Sequence, residues 1–292
     1  MEKILVTGAT GHLGKALTEH LLQKTEAGNL TVLVRDAGKV NQLQSAGVTI
    51  KVGDYNDYDS LIAAFKGIDK IYLVSGTDLE NRAEQHAKVI DAAVETGVKH
   101  IVYSSYQRKN ETATSPIALV SKAHLSTEEK LKKSNIIYTI MLHTLYADII
   151  PDFVGPQLMQ SKTIFLPAEM GKTAFATRND LAEAEANILL DNSGKYSNKS
   201  IEMTGFEALS WGDVAEIISD IVGDEINYLS PTVEDYANAL DKAGVPKEFI
   251  GMLGGFNQAI AQGEFENITT DLRDILGRIP ESVKDFLKKV YG

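Results

Sequence analysis

A glycine-rich turn near the start of the chain constrains its fold more than any other stretch. The turn reads Gly8-Ala9-Thr10-Gly11-His12-Leu13-Gly14, with the apolar run Ile4–Val6 before it and apolar positions at helical spacing after it. This order predicts a strand, a tight turn and a helix. Glycines three residues apart let a pyrophosphate approach without a Cβ in the way and seat the helix against a sheet. The helix N-terminus then faces the anion, so the turn predicts a dinucleotide, with glycines that serve packing alone as the alternative.

The first half of the chain alternates strand-like apolar runs with helical patterns, which is typical of βαβ units on a parallel sheet. Right-handed crossovers bring the carboxyl ends of such strands to one edge, where ligands bind. The predicted fold class is therefore α/β, a Rossmann-type doubly wound parallel sheet. Strands are predicted at about 4–6, 30–34, 48–52, 70–74, 100–104 and 136–141, and helices at about 37–46, 60–65, 81–96 and 117–134.

A smaller, mostly helical C-terminal cap domain is predicted over 148–292. It begins with an irregular crossing segment, 148–176, which carries three prolines. The dinucleotide-binding domain, 1–147, also receives sheet contributions from about 176–205. Further predicted elements are helices at about 177–191, from a Ser210 cap to 222 and in several segments after 231, and short strands at 201–203 and 226–228.

Composition narrows the class of protein. The 292 residues are 43% hydrophobic and 24% charged, no stretch approaches the roughly 20 apolar residues of a membrane span, and no signal-peptide pattern is present, so we expect a cytoplasmic protein without a membrane partner. The absence of cysteine excludes disulfides, iron–sulfur clusters and thiolate chemistry. A net charge of −11 without a basic run argues against nucleic acid. The six histidines lack metal-ligand spacing, so no metal is expected.

The residue after the second predicted strand distinguishes the two nicotinamide cofactors, because it lies beside the adenosine ribose. An acidic residue there binds a 2′-hydroxyl, whereas arginine pairs with a 2′-phosphate. This chain has Arg35, which predicts NADP(H); a solvated basic residue at a strand end is the alternative. Asp36 is expected to cap the helix that follows.

Two further strand ends offer polar groups. Asp54, after the third strand, falls where an adenine would lie and its carboxylate can accept from the exocyclic amine, but a turn or cap explains it equally well. Ser75, Gly76 and Thr77 follow the fourth strand. Small polar residues there suit the approach of a ribose, with a plain loop as the alternative.

A series of motifs extends along nearly the whole chain: Thr7–Gly14, Val34–Asp36, Gly53–Tyr55, Gln85–Ala93, Gly97–Ser105, Tyr138–Thr139, Ala176–Ala182, Met203–Gly205 with Leu209–Trp211, and Ala243–Pro246. These motifs resemble the NmrA-like group of atypical short-chain dehydrogenases. Within that group the chain is most similar to the NADPH-dependent quinone reductases and the triphenylmethane-dye reductases.

The resemblance implies a bound NADPH with its 2′-phosphate at Arg35 and its nicotinamide ribose near Ser75–Thr77. It further implies that the segment after the sixth strand, from Leu142 and His143 to Tyr146, flanks the nicotinamide. Relatives often carry Arg-Asn at the Leu142-His143 positions, so substrate preference or rate is expected to differ. The phosphates are implied to lie at Gly8, Ala9, Thr10, Gly11, His12 and Leu13.

The chain lacks the usual acid of short-chain dehydrogenases. Those enzymes protonate their substrate with a tyrosine four residues before a lysine, and none of the eleven tyrosines has that spacing. An electrophilic quinone needs mainly orientation and proximity for hydride delivery. Candidate proton donors are His143, Tyr146 and His124, with a packing or surface role as the alternative, above all for His124.

These observations lead to two hypotheses. The first is an NADPH-dependent reductase that transfers hydride to a quinone or similar conjugated acceptor, acts on a small molecule, and is a monomer or homodimer. The second is a non-catalytic, NADP-binding, redox-sensing regulator that passes its state to a partner protein. A helical cap long enough to enclose a substrate favours the enzyme.

Overall fold

The computed structural model describes residues 2–292; Met1, with which the predicted first domain begins, lies outside the described residues. The described chain forms two compact units, and each is discontinuous in sequence. The first unit contains residues 2–106, Leu119–Leu142 and Arg178–Glu202. The second contains Gln107–Ala118, His143–Thr177 and Met203–Gly292.

The strands, in chain order, are β1 (Ile4–Thr7), β2 (Leu30–Val34), β3 (Thr49–Val52), β4 (Lys70–Leu73), β5 (His100–Tyr106), β6 (Ile137–His143), β7 (Thr163–Phe165), β8 (Lys172–Thr173), β9 (Lys199–Met203), β10 (Leu209–Ser210) and β11 (Asn227–Leu229). The helices are α1 (His12–Lys24), α2 (Asn41–Ser45), α3 (Tyr58–Phe65), α4 (Arg82–Thr96), α5 (Ala118–Lys133), α6 (Ile150–Val154), α7 (Leu158–Ser161), α8 (Arg178–Leu190), α9 (Trp211–Val222), α10 (Val233–Lys242), α11 (Lys247–Ala261), α12 (Asp271–Leu276) and α13 (Val283–Tyr291).

A seven-stranded sheet has the order β3-β2-β1-β4-β5-β6-β9. The pairs β1–β2, β1–β4, β2–β3 and β4–β5 are parallel. Every residue of β1, β2 and β4 is buried, as expected for a parallel sheet covered on both faces. The strand order reverses between β1 and β4, which is where a doubly wound sheet opens a ligand-binding crevice. The predicted fold class is confirmed.

Local capping signals were predicted correctly. Asp36 accepts a hydrogen bond from the Gly38 N–H at 2.9 Å, so its predicted capping role is confirmed. The structure that it caps differs from the single helix predicted over 37–46, because a 3-10 turn at Ala37–Val40 precedes α2. Ser210 and Asp213 form a capping box at the start of α9, as the predicted Ser210 cap requires.

The segment 148–176 is not irregular, and that prediction is wrong. It contains α6, α7, β7 and β8; β7 pairs in parallel with β11, and β8 pairs antiparallel with β10. Pro151 lies in the first turn of α6, where its missing N–H costs no helical hydrogen bond. The helices α9 to α13 confirm the helical C-terminal region.

A buried histidine at the amino ends of the strands gives the fold a pH dependence. His100 donates from Nε2 to Thr139 Oγ1 at 2.8 Å, because the Thr139 hydroxyl itself donates to the Tyr196 carbonyl. Burial, together with the nearby Lys70 charge, lowers the pKa of His100 from 6.5 to about 4. Between these values only the unfolded chain takes up the proton, so the free energy of unfolding falls as pH falls.

We therefore expect the stability to decrease from about pH 6.5 towards about pH 4, with His100 contributing at most about 1.4 kcal/mol per pH unit. Urea unfolding at several pH values measures this slope. His100→Gln should make the slope less steep, with the contribution of His86, another buried histidine, retained, and an unchanged slope in that variant would contradict the assignment.

Candidate cofactor site

The glycine turn between β1 and α1 has no space for side chains at two positions. Gly8 has a φ of +61°, a left-handed conformation that favours glycine, and a Cβ there would lie 3.0 Å from Val74 Cβ. A Cβ on Gly14, in the first turn of α1, would lie 2.4 Å from the Gly8 carbonyl oxygen. Within residues 2–292 no side chain caps α1 at Gly11, so its first N–H groups are available to an anion.

A cavity of about 340 Å³ opens at the carboxyl ends of β1 to β4. This volume is within the range of small-molecule and cofactor sites. The turn and the strand-end residues singled out by sequence line the same space. The lining comprises Gly8, Thr10, Gly11, Leu33, Val34, Arg35, Gly53, Asp54, Tyr55, Asn56, Val74, Ser75, Gly76, Thr77, Asp78 and Gln85.

The other sequence-derived candidates lie outside this lining. Ala9 is in the turn, and His12 and Leu13 begin α1. Leu142 and His143 are the last residues of β6, which ends two residues later than the predicted strand.

The side chain of Arg35 is exposed, whereas that of Asp54 is fixed by hydrogen bonds. Arg35 is exposed at the end of β2. Asp54 accepts hydrogen bonds through Oδ1 from the Asn56 N–H at 2.8 Å and from its Nδ2 at 3.0 Å. The turn role considered for Asp54 is therefore present, and the same residue lines the cavity.

The Ser75–Thr77 segment directs two backbone N–H groups into the protein. The Ser75 N–H donates to Ser104 Oγ at 2.8 Å, and the Gly76 N–H donates to His86 Nε2 at 3.0 Å. These donors are therefore already used. A ligand at this segment therefore finds neither of these two N–H groups free to donate to it.

Sequence reasoning missed several residues around the cavity. The Tyr55 hydroxyl, with its one proton, lies 2.5 Å from Thr7 Oγ1 and 3.1 Å from the Val74 carbonyl oxygen, and burial raises its pKa. Gln85 donates to Asp78 Oδ2 at 3.2 Å and to Asn56 Oδ1 at 3.3 Å. The adjacent polar residues Gln85 and His86 near the start of α4 were an available signal. Two such side chains are buried together only when each has a hydrogen-bond partner.

His124 lies in a buried network. Its Nε2 is 3.1 Å from the Arg82 guanidinium, which can only donate, so the proton of a neutral His124 is on Nδ1, 2.8 Å from the Tyr103 hydroxyl. Close by, Ser105 Oγ donates to the buried Glu128 carboxylate at 2.5 Å. Both ring nitrogens of His124 are thus engaged, and the residue does not line the cavity.

The structure brings two of the candidate proton donors together. Tyr146 and His143, three residues apart, join through their hydroxyl and Nδ1 at 3.0 Å. His143 is only 1% exposed, whereas Tyr146 is half-buried. A bridge between Tyr146 and Ala176 and the bond from the Ala147 N–H to the Ala176 carbonyl at 2.9 Å fix the backbone here. The pair can therefore exchange a proton internally.

Residues 2–292 show neither a metal site nor a membrane-spanning helix. Across residues 2–292, no three His, Asp or Glu side chains converge in a way that could hold a metal ion. In that same part of the chain, no helix combines the length and the apolar character needed to cross a bilayer.

A doubly wound parallel sheet with a glycine turn at its switch point defines a Rossmann-type dinucleotide-binding protein. The chain belongs to the NmrA-like family, whose model matches residues 1–287, and this confirms the resemblance seen in the motifs.

The chain is similar to known reductases over its full length. It is 30% identical to quinone oxidoreductase 2 of Escherichia coli (strain K12), over 99% of both chains. The structure of Citrobacter sp. triphenylmethane reductase complexed with NADP(H) has a TM-score of 0.90 at 33% identity, covering 98% of this chain and 99% of that one. The NADPH complex of an E. coli NADPH-dependent quinone oxidoreductase has a TM-score of 0.92 at 29% identity, covering 99% and 100%.

Proposed function

We propose that this chain is an NADPH-dependent reductase that transfers hydride to a quinone or a similar conjugated, electrophilic acceptor. The observation that carries the proposal is the cavity at the ends of β1 to β4, where the glycine turn and Arg35 line one space. The similarity to a quinone oxidoreductase and to a dye reductase complexed with NADP(H) supports the cofactor and the class of acceptor.

The residues present fit this cofactor. In the proposal, the turn from Gly8 to Leu13 holds the phosphates, because the glycines leave its backbone uncovered and the first N–H groups of α1 are free of a side-chain cap. Arg35 pairs with the 2′-phosphate and Asp54 lies near the adenine. Ser75–Thr77 receive the ribose next to the nicotinamide, and Leu142, His143 and Tyr146 flank the nicotinamide. When bound, NADPH supplies a hydride.

The acceptor also needs a proton, because two-electron reduction of a quinone carbonyl leaves an anionic oxygen. We propose that the Tyr146 hydroxyl donates this proton and that His143 then reprotonates Tyr146. His143 is bonded to that hydroxyl, so its imidazole can pass a proton to the phenol. His124 stays the second candidate, although Arg82 and Tyr103 engage its nitrogens.

Steady-state assays with a para-quinone, an azo dye and a triphenylmethane dye test the proposal, with NADPH consumption as the readout. Turnover of the quinone supports the reductase. NADP(H) binding without any turnover, together with a protein partner recovered by pull-down, would instead support a redox-sensing regulator. Absence of NADP(H) binding would refute both.

Tyr146→Phe should lower kcat for the quinone by about 100-fold, the lower part of the range for loss of a positioned acid, with the Kd for NADPH unchanged. Tyr236→Phe is the matched control, since it removes a buried phenol from the same unit and should leave kcat unchanged. Equal kcat in Tyr146→Phe and wild type would exclude Tyr146 as the donor.

A further inference from the structure

A buried histidine bonds directly to the cavity segment Ser75–Thr77. His86 is 0% exposed and lies in the second turn of α4. Its Nε2 accepts from the Gly76 N–H at 3.0 Å, and its Nδ1 is 2.9 Å from Thr127 Oγ1 on α5. One imidazole therefore connects the cavity segment to two helices of the first unit.

The hydrogen bonds of His86 to Gly76 and to Thr127 require the same tautomer of the imidazole ring. The Gly76 N–H can only donate, so Nε2 must carry a lone pair. The Thr127 hydroxyl donates its one proton to the Ala123 carbonyl at 2.8 Å, so it accepts from His86, and Nδ1 must carry the proton. His86 is thus neutral and protonated on Nδ1.

The surroundings keep His86 neutral. The ring packs against Tyr55 and Tyr103 in T-shaped arrangements, with ring centroids 6.1 Å and 5.5 Å away. Burial, with a smaller contribution from the Arg82 charge, lowers the pKa of His86 to about 3. Protonation of Nε2 would place two donors against each other at Gly76, so only the neutral ring can hold this segment.

We propose that His86 is a positioning residue, which as the Nδ1-protonated neutral imidazole holds Ser75–Thr77 in the shape that receives the nicotinamide half of the cofactor. The inference rests on the proposed function, since it assumes that a dinucleotide occupies the cavity. Ser104 holds the preceding N–H, so two consecutive peptide groups are fixed from inside. Such preorganisation lowers the ordering cost that a ligand meets on binding.

His86→Phe keeps a ring of similar size but removes the acceptor for the Gly76 N–H. We expect the Kd of NADPH to rise about tenfold, in keeping with the loss of one hydrogen bond to a buried group. The Kd of adenosine 2′,5′-bisphosphate, which lacks the nicotinamide half, should not change. His86→Gln retains a side-chain carbonyl acceptor and should restore most of the NADPH affinity.

A matched control comes from the other end of the sheet. His100 is also a buried neutral histidine that bonds a threonine, but it does not line the cofactor cavity. His100→Phe should leave both dissociation constants unchanged. If His86→Phe fails to fold, Thr127→Val tests the same assignment, because it deletes only the hydroxyl that fixes the tautomer.

Hydrogen–deuterium exchange of the ligand-free proteins separates this inference from the proposed function. The amides of Ser75–Thr77 should exchange faster in His86→Phe than in wild type, His86→Gln or His100→Phe. If wild type binds no NADPH, the proposed function fails, while exchange still decides whether His86 holds the segment. Unchanged exchange, or equal losses of NADPH and bisphosphate affinity, would overturn the proposal.

Discussion

Replacing Arg35 with alanine is expected to weaken NADPH binding by about 100-fold while changing NADH binding by less than about threefold. A guanidinium that pairs with a phosphate makes charge-assisted hydrogen bonds worth about 1.5–3 kcal/mol, and 100-fold corresponds to about 2.7 kcal/mol. NADH has a hydroxyl where NADPH has the 2′-phosphate, so it loses little. Because Arg35 is exposed, the preference for NADPH should also decrease with rising salt.

Fluorescence titration of both cofactors at two ionic strengths measures the effect. Arg273→Ala is a suitable control, because it removes an exposed arginine from the second unit and should alter neither affinity. Equal losses of NADPH and NADH affinity in Arg35→Ala would show that Arg35 does not contact the phosphate, and the NADP(H) assignment would then lose its main support in the sequence.

The parts of the fold that sequence predicts well are those with local causes. The turn from Gly8 to Gly14 depends on glycine spacing within seven residues. The end of α4 depends on Gly97, whose φ of +77° terminates the helix. Ser210 and Asp213 cap α9 from within one turn. In each case the residues that decide the structure are neighbours in the chain.

Elements that depend on residues far away in the chain could not be predicted in the same way. The strands β7 and β8 are three and two residues long, too short to show alternation, and each exists because of a partner strand far along the chain. Prolines are typical of irregular chain, yet Pro151 lies at the start of α6, where proline is favourable.

The residues of the candidate site also differ in whether neighbouring or distant parts of the chain determine their position. Arg35 and Ser75–Thr77 can be located from strand ends alone. The partners of His86 lie 10 and 41 residues away, and those of Tyr55 lie 48 and 19 residues away. The sequence suggested that the backbone at Gly76 is open to a ribose, and only the fold reveals that its N–H is already used.

Gly14→Ala is expected to lower the free energy of unfolding by about 2 kcal/mol or more, the range seen when a well-packed site is overfilled. Its Cβ would lie 2.4 Å from the oxygen and 2.7 Å from the carbon of the Gly8 carbonyl, and 3.1 Å from the Ala9 nitrogen. All three are backbone atoms of the turn, so no side-chain rotation relieves the contact. The turn itself must move, and we expect NADPH affinity to fall at least about tenfold, because the phosphate-binding N–H groups move with it.

The control for this change is Gly251→Ala. Gly251 is also inside a helix, α11, but a Cβ there meets nothing within 4 Å, so the better helix propensity of alanine should raise the free energy of unfolding by about 0.5–1 kcal/mol. The same propensity gain accompanies Gly14→Ala, so the difference between the two variants measures the clash at the turn alone. Urea unfolding of both proteins, followed by NADPH titration, supplies that difference. Equal stability of the two variants would mean that α1 can move away from β1 at little cost, and the close approach at Gly14 would then not be what holds the phosphate-binding turn in shape.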